Sequence, residues 1–189
     1  MSKKSRLFAD KKHQEAGTLF NGKRYRVHTD GVANIVKNTI ITYPSYVDRM
    51  QLLTYSVETA DLHDTLEDTD TTFEELVSEF GEVVAKSVDN VTDIDAKNRE
   101  ERKKLTIQRF AHFEISVLSE LIALIVKPAD RYHNWYTAIK LNQKKYIKMY
   151  YREYPIFKLS VYRPDLVEKL WSDLDELDLY VRENYNFTR

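Results

Sequence analysis

The chain has 189 residues, enough to bury the core of one domain, and 29 Lys and Arg against 30 Asp and Glu leave a net charge of −1. That balance argues against a protein that coats nucleic acid, and the absence of cysteine excludes disulfides and thiolate metal sites. Four Gly and four Pro leave little turn chemistry for an all-β fold, no apolar run is long enough to span a bilayer, and the N-terminus lacks the apolar core of a signal peptide; a soluble, cytoplasmic protein is expected.

Helical spacing first appears over residues 30–40, where Val32, Val36 and Ile40 recur on one face with Ile35 beside them. A longer helix is expected over 48–68, with Leu52, Leu53, Val57, Ala60 and Leu66 as its apolar stripe. Thr71-Thr72-Phe73-Glu74 fits a capping box that opens a helix, and Gly81 is suited to end it in a left-handed conformation. Residues 82–91 resume the pattern, and 93–104 read as a polar loop running into a helix. Residues 115–140 are helical, with a kink or break expected at Pro128. Residues 144–152 are basic and tyrosine-rich. Pro164 suits the first turn of a last amphipathic helix, about 164–185, with Leu166, Leu170, Trp171, Leu174, Leu177 and Val181 on one face. No period-2 strand is evident. The expected fold is all-α, a single domain over 1–189 with its core over about 20–160 and the last helix packed on it.

The sharpest local feature is LHDTLEDTDTT, residues 62–72. In a continuous helix His63 stacks over Glu67, and Asp64 over Asp68. One imidazole and three carboxylates then share a space that a cation or protons must neutralise. Acidic residues alone fit a solvated helix tip better than a metal site; the adjacent His shifts the balance, adding a common ligand pair for first-row metals. His28, in RYRVHTDGVANIV, and Asp130, in KPADRYHNW, each read on their own as an ordinary histidine and an exposed acid. They gain meaning only together with the His-Asp pair.

Read together, a lone His, a His-Asp pair and a distant Asp resemble the HD phosphohydrolase superfamily, and more closely the RelA/SpoT-type hydrolase domains and small alarmone hydrolases. The resemblance runs from about Tyr25 to Trp135 through LHDTLEDT, FG, VTD, the basic NREERKK and the AD-x-x-x-N of Asp130 and Asn134. It implies a helical HD-domain bundle with His28, His63, Asp64 and Asp130 as ligands of one divalent cation, usually Mn²⁺. It makes Glu67 and Asp68 the acidic pair that orients or deprotonates the attacking water. The implied substrate is guanosine tetra- or pentaphosphate, cleaved at the 3′ pyrophosphate, with Asn134 on its ribose or phosphate side. Candidate phosphate contacts are Lys23 and Arg24 before the first ligand, then Arg99, Arg102 and Lys103; Lys144 and Tyr146 offer charge and a stacking ring. Without the resemblance, each basic cluster reads as a solvated helix face.

Three positions depart from the family's pattern. Leu19 and Phe20 stand where basic residues flank the guanine pocket, Pro128 interrupts the usual Lys-Leu-Ala-Asp run, and the interval from Arg102 to Asp130 is longer. An adenine alarmone, NADPH or another nucleotide therefore stays open as substrate, as does, behind these, a non-catalytic nucleotide-binding module. A homo-oligomer is compatible with the sequence but not indicated by it. His13, His112 and His133 read as structural histidines, and Trp135 and Trp171 as core anchors.

Overall fold

In the computed structural model, which describes residues 3–41 and 49–189, the chain opens with helix α1 (Lys3–Glu15). A hairpin of β1 (Leu19–Phe20) and β2 (Lys23–Arg24) leads into α2 (Arg26–Ile41). Helices α3 (Arg49–Leu62), α4 (Thr65–Asp68), α5 (Phe73–Phe80), α6 (Glu82–Val91) and α7 (Arg99–Ala111) follow, then α8 (Leu118–Lys140), α9 (Lys144–Val161) and α10 (Glu168–Asn184). The architecture is all-α, as the apolar spacing predicts. Among the described residues no helix is long and apolar enough to cross a membrane.

Helix α8 is the axis of the bundle. Leu121 to Val126 are buried on every side, the pattern of a helix surrounded by others. Helices α2, α3, α6, α9 and α10 pack against it. Val32, Val36 and Ile40 of α2 and Leu52, Val57 and Ala60 of α3 fill the same core, with Trp135 and Trp171 buried within it. Of the kink or break expected at Pro128, the break does not occur: α8 runs through that residue. An internal proline costs about 3 kcal/mol. Burying one Leu or Ile side chain contributes about 1.5–3 kcal/mol, so the apolar run beside Pro128 outweighs it.

The helix expected over 48–68 does break, after Leu62. His63 Nδ1 lies 2.8 Å from the Ala60 carbonyl, and the Thr65 hydroxyl donates to the Leu62 carbonyl at 2.7 Å. Side chains thus occupy carbonyls that a continuing helix would use. Asp64 turns at φ −101°, ψ 0° before α4 restarts. The cap of α5 falls one residue later than predicted: the Thr72 hydroxyl accepts the Glu75 N–H at 3.1 Å. Gly81 joins α5 to α6 at φ 84°, ψ 165°, positive in φ but extended rather than left-handed helical. The last helix starts at Glu168, not Pro164. Asp165 and Val167 take positive φ there, and the Glu168 carboxylate accepts the Asp165 N–H at 2.9 Å. Leu166 therefore enters the core from a turn.

Two elements have no counterpart in the sequence reading. The buried face of α1 is Ser5, Ala9, Asp10 and His13, which carries almost no apolar period. Its Ser5 hydroxyl donates to Asp61 at 2.7 Å. The hairpin, which corrects the expectation of no strand, turns at Asn21 and Gly22 with φ of 51° and 74°. An Asn-Gly pair favours that geometry.

Beyond α6, Asp93 ties a loop to α8. Its carboxylate accepts Lys103 Nζ at 2.7 Å and Lys127 Nζ at 3.2 Å. Burial alone would raise the Asp93 carboxyl, but the charges of Lys127 and Lys103 outweigh it and bring it down to about 2. A carboxyl depressed on folding stabilises the native state above its unfolded pKa, and that contribution is lost as pH falls through the folded value. Asp93 should therefore contribute about 2 kcal/mol above pH ~4, disappearing toward pH ~2. Thermal melts from pH 5 to 2 should show a shallower acid limb for Asp93→Asn than for the parent protein; parallel limbs would refute the assignment.

Candidate metal centre

Three parts of the bundle meet at one point. His28 lies in the first turn of α2 rather than ahead of the helix, His63 and Asp64 form the turn between α3 and α4, and Asp130 sits midway along α8. His28 Nε2 is 3.1 Å from His63 Nε2. Asp64 Oδ2 is 3.0 Å from His63 Nε2 and 3.4 Å from His28 Nε2, while Asp130 Oδ1 is 3.6 and 3.2 Å from the same atoms. Ligand atoms of His28, His63 and Asp130 all lie within 4.8 Å of one another. Both imidazoles are buried, and Asp64 and Asp130 are half-buried.

These residues fit a divalent cation. A carbonyl can only accept, so His63 Nδ1 carries the proton toward Ala60, leaving the Nε2 lone pair of the neutral ring facing the centre. Two imidazole nitrogens and two carboxylates converging there repel one another unless positive charge lies among them. Titration reflects the same demand. Burial opposes charge on His28 and His63, yet the bonds and charges of Asp130 and Asp64 push both imidazoles up. Burial would raise Asp64 and Asp130, but the two imidazoles hold both carboxyls well down. A mixed imidazole–carboxylate set suits a first-row divalent ion.

Because the helix breaks after Leu62, His63 does not stack over Glu67 within one continuous helix, whereas Asp64 caps α4 and its carbonyl accepts the Asp68 N–H at 2.9 Å, keeping those two acids one turn apart. Glu67 and Asp68 occupy α4, at the solvent-accessible rim. Glu67 accepts the Asp93 N–H at 2.6 Å. Partial burial, with Asp64 adding, pushes both carboxyls up, against the pull of Lys127 on Glu67.

Three cavities are lined by these residues or by their neighbours. One of about 590 Å³ is lined by Glu67, Asp93, Arg102 and Arg109. A second, about 180 Å³, brings Lys103, Lys127 and Arg131 beside Asp130, Asn134 and Tyr146. A third, about 260 Å³, runs between Leu19, Phe20 and Asn21 of the hairpin and Asn134, Gln143 and Tyr146. Arg102, Lys103, Asn134 and Tyr146 line these cavities, and Asn134 donates to Asp130 Oδ1 at 2.6 Å. Among the described side chains, the other basic residues singled out in the sequence do not line them. Arg24 turns to Asp10 of α1 at 2.7 Å, Lys23 is exposed on β2, and Lys144 is exposed at the start of α9 and lines none of the three. The side chain of Arg99 lies outside the described residues.

Tyr25, His133 and Lys127 were not read as part of the site, and Phe20 was placed only beside the base pocket. The Tyr25 hydroxyl donates to Asp64 Oδ2 at 2.6 Å, and its ring stacks on buried His13. Phe20 stacks on His28 with ring centroids 4.6 Å apart. His133, read as structural, lies with Nδ1 2.9 Å from His28 Nδ1. Lys127 lines the same cavity as Asp130 and donates to the Val91 carbonyl at 2.6 Å. The Asn-Gly turn beside Phe20 was the one local signal available for any of them.

Comparison with known proteins points the same way. A family model described as HD domain matches residues 5–155. The guanosine-3′,5′-bis(diphosphate) 3′-pyrophosphohydrolase MESH1 of Danio rerio is 35% identical over 113 residues, 60% of this chain and 54% of the relative. A Vibrio cholerae protein named guanosine-3′,5′-bis(diphosphate) 3′-pyrophosphohydrolase is 30% identical over 135 residues, 70% of this chain and 18% of its own length. The chain thus spans about half of the animal relative and under a fifth of the bacterial one. A solved structure described as a metazoan ortholog of SpoT that hydrolyses ppGpp superposes with a TM-score of 0.74 at 23% identity, covering 97% of this chain and 96% of its own.

Proposed function

Because the chain belongs to the HD domain family, we propose that it is a metal-dependent phosphohydrolase releasing pyrophosphate from the 3′ position of guanosine 3′,5′-bis(diphosphate) and its pentaphosphate. The observation that carries this reading is the convergence of His28, His63, Asp64 and Asp130, with Glu67 and Asp68 at its rim. The four residues would hold Mn²⁺, which when bound lowers the pKa of water and neutralises phosphoryl oxygens.

The remaining work falls to side chains. Glu67, held by the Asp93 N–H, is aimed to orient a water and take its proton as the water oxygen attacks phosphorus. Asp68 beside it receives or relays that proton. The bond from phosphorus to the ribose 3′ oxygen breaks, that oxygen takes a proton, and GDP or GTP leaves with pyrophosphate. Arg102, Lys103 and Lys127 concentrate positive charge around the phosphates.

One observation favours a second reading. The cavity between the hairpin and Tyr146 is lined by neutral residues, with Gln143 donating to Asn21 at 2.7 Å, and Arg24 is engaged by Asp10. A pocket of this kind does not select guanine by charge, so an adenine alarmone or NADPH is the alternative substrate.

Product analysis decides between them. Purified protein with Mn²⁺ is incubated with ppGpp, its adenine analogue, NADPH and ordinary NTPs. GDP and pyrophosphate from ppGpp alone are expected. Turnover of NADPH or the adenine analogue in preference to ppGpp would move the function to the second reading.

A further inference from the structure

The tautomer of His63 is set by a backbone carbonyl, but that of His28 is not. Its Nδ1 faces another histidine, His133 Nδ1, at 2.9 Å. Between two ring nitrogens, one must donate and the other accept. If His28 is to offer the Nε2 lone pair to a cation, its Nδ1 must carry the proton and His133 Nδ1 must accept it. We propose that His133 is a positioning residue for the metal centre, accepting the His28 Nδ1 proton and so fixing the tautomer and ring plane of that ligand.

Independent features of the fold hold His133 to this role. A side chain at position 31 would put its Cβ 2.2 Å from His133 Nε2, so Gly31, one turn beyond His28 on α2, leaves the space the ring occupies. Phe20 of the hairpin closes the other side, stacked on His28 and 5.6 Å from the His133 ring centroid. Asn134, the next residue, donates to Asp130, so one turn of α8 steadies two of the proposed ligands.

This inference rests on the metal-centre reading, and the test separates the two. Mn²⁺ binding is measured by titration calorimetry on the parent protein, His133→Leu, His133→Asn and Gly31→Ala, each checked for an unchanged helical spectrum. Losing an outer partner of a ligating histidine weakens metal binding about 10–100-fold, and His133→Leu should show that loss. His133→Asn, whose amide oxygen can stand near the Nδ1 position, should recover much of it. Gly31→Ala alters no polar group yet should weaken Mn²⁺ in the same direction by displacing the ring. Should His133→Leu not fold, the contrast between His133→Asn and Gly31→Ala carries the same comparison. Parent-like Mn²⁺ affinity in folded His133→Leu, or in Gly31→Ala, overturns the positioning role while leaving the metal centre intact. Failure of the parent protein to bind Mn²⁺ overturns both.

Discussion

Asp64→Ala is expected to abolish Mn²⁺ binding and reduce turnover below detection while leaving the helical fold in place. Asp64 Oδ2 is the acid in shortest contact with an imidazole at the centre, 3.0 Å from His63 Nε2, and it also accepts the Tyr25 hydroxyl at 2.6 Å. Removing it leaves two imidazole nitrogens 3.1 Å apart with Asp130 as the one carboxylate touching both. Negative charge then no longer compensates a divalent ion, and the remaining ligands are too few for its usual shell. The fold should tolerate the change, because Asp64 sits in a turn rather than in the packed part of α3 or α8. Calorimetric Mn²⁺ titration and a product assay on one preparation make the check. A mutant that binds and turns over like the parent would remove the metal assignment altogether.

The elements that hold this centre differ in how much of them a sequence can express. Helices α2, α3 and α8 repeat apolar residues at helical spacing, so their existence follows from periodicity. The His63-Asp64 pair is visible as a dipeptide, and His28 and Asp130 acquire meaning from their order around it. The geometry that unites them is another matter. The break after Leu62 depends on Thr65 and His63 diverting carbonyls, a competition that an apolar stripe does not register. Helix α1 is invisible to periodicity because the face it buries is mostly polar. Its Asp10 then pairs with Arg24, a contact between α1 and the hairpin that no local pattern announces. His133 and Tyr25 contact His28 and Asp64, 105 and 39 residues away, contacts no local pattern encodes. Pro128 shows the converse: a strong local signal is overridden because the helix is packed on all sides.

Glu67→Gln separates holding a metal from moving a proton. Glu67 lies on α4 with its carboxylate held by the Asp93 N–H, whereas Asp64 and Asp130 face the two imidazoles, so Mn²⁺ affinity should stay near that of the parent. The amide oxygen of Gln can still accept the Asp93 N–H, which preserves the side chain's anchor and its volume. What the substitution removes is a carboxylate able to take a proton. Burial and Asp64 raise the carboxyl above the ordinary range, which brings its basicity closer to that of a working general base at neutral pH. Positioned general bases contribute about 10²–10⁴-fold to rate, and a loss of that size in kcat is expected with KM little changed. The pH–rate profile adds a second readout, since the acid limb assigned to Glu67 should vanish in Glu67→Gln. If kcat is instead unchanged, Glu67 is an anchor for the Asp93 loop, and the proton passes to Asp68, whose carboxyl is raised by the same causes.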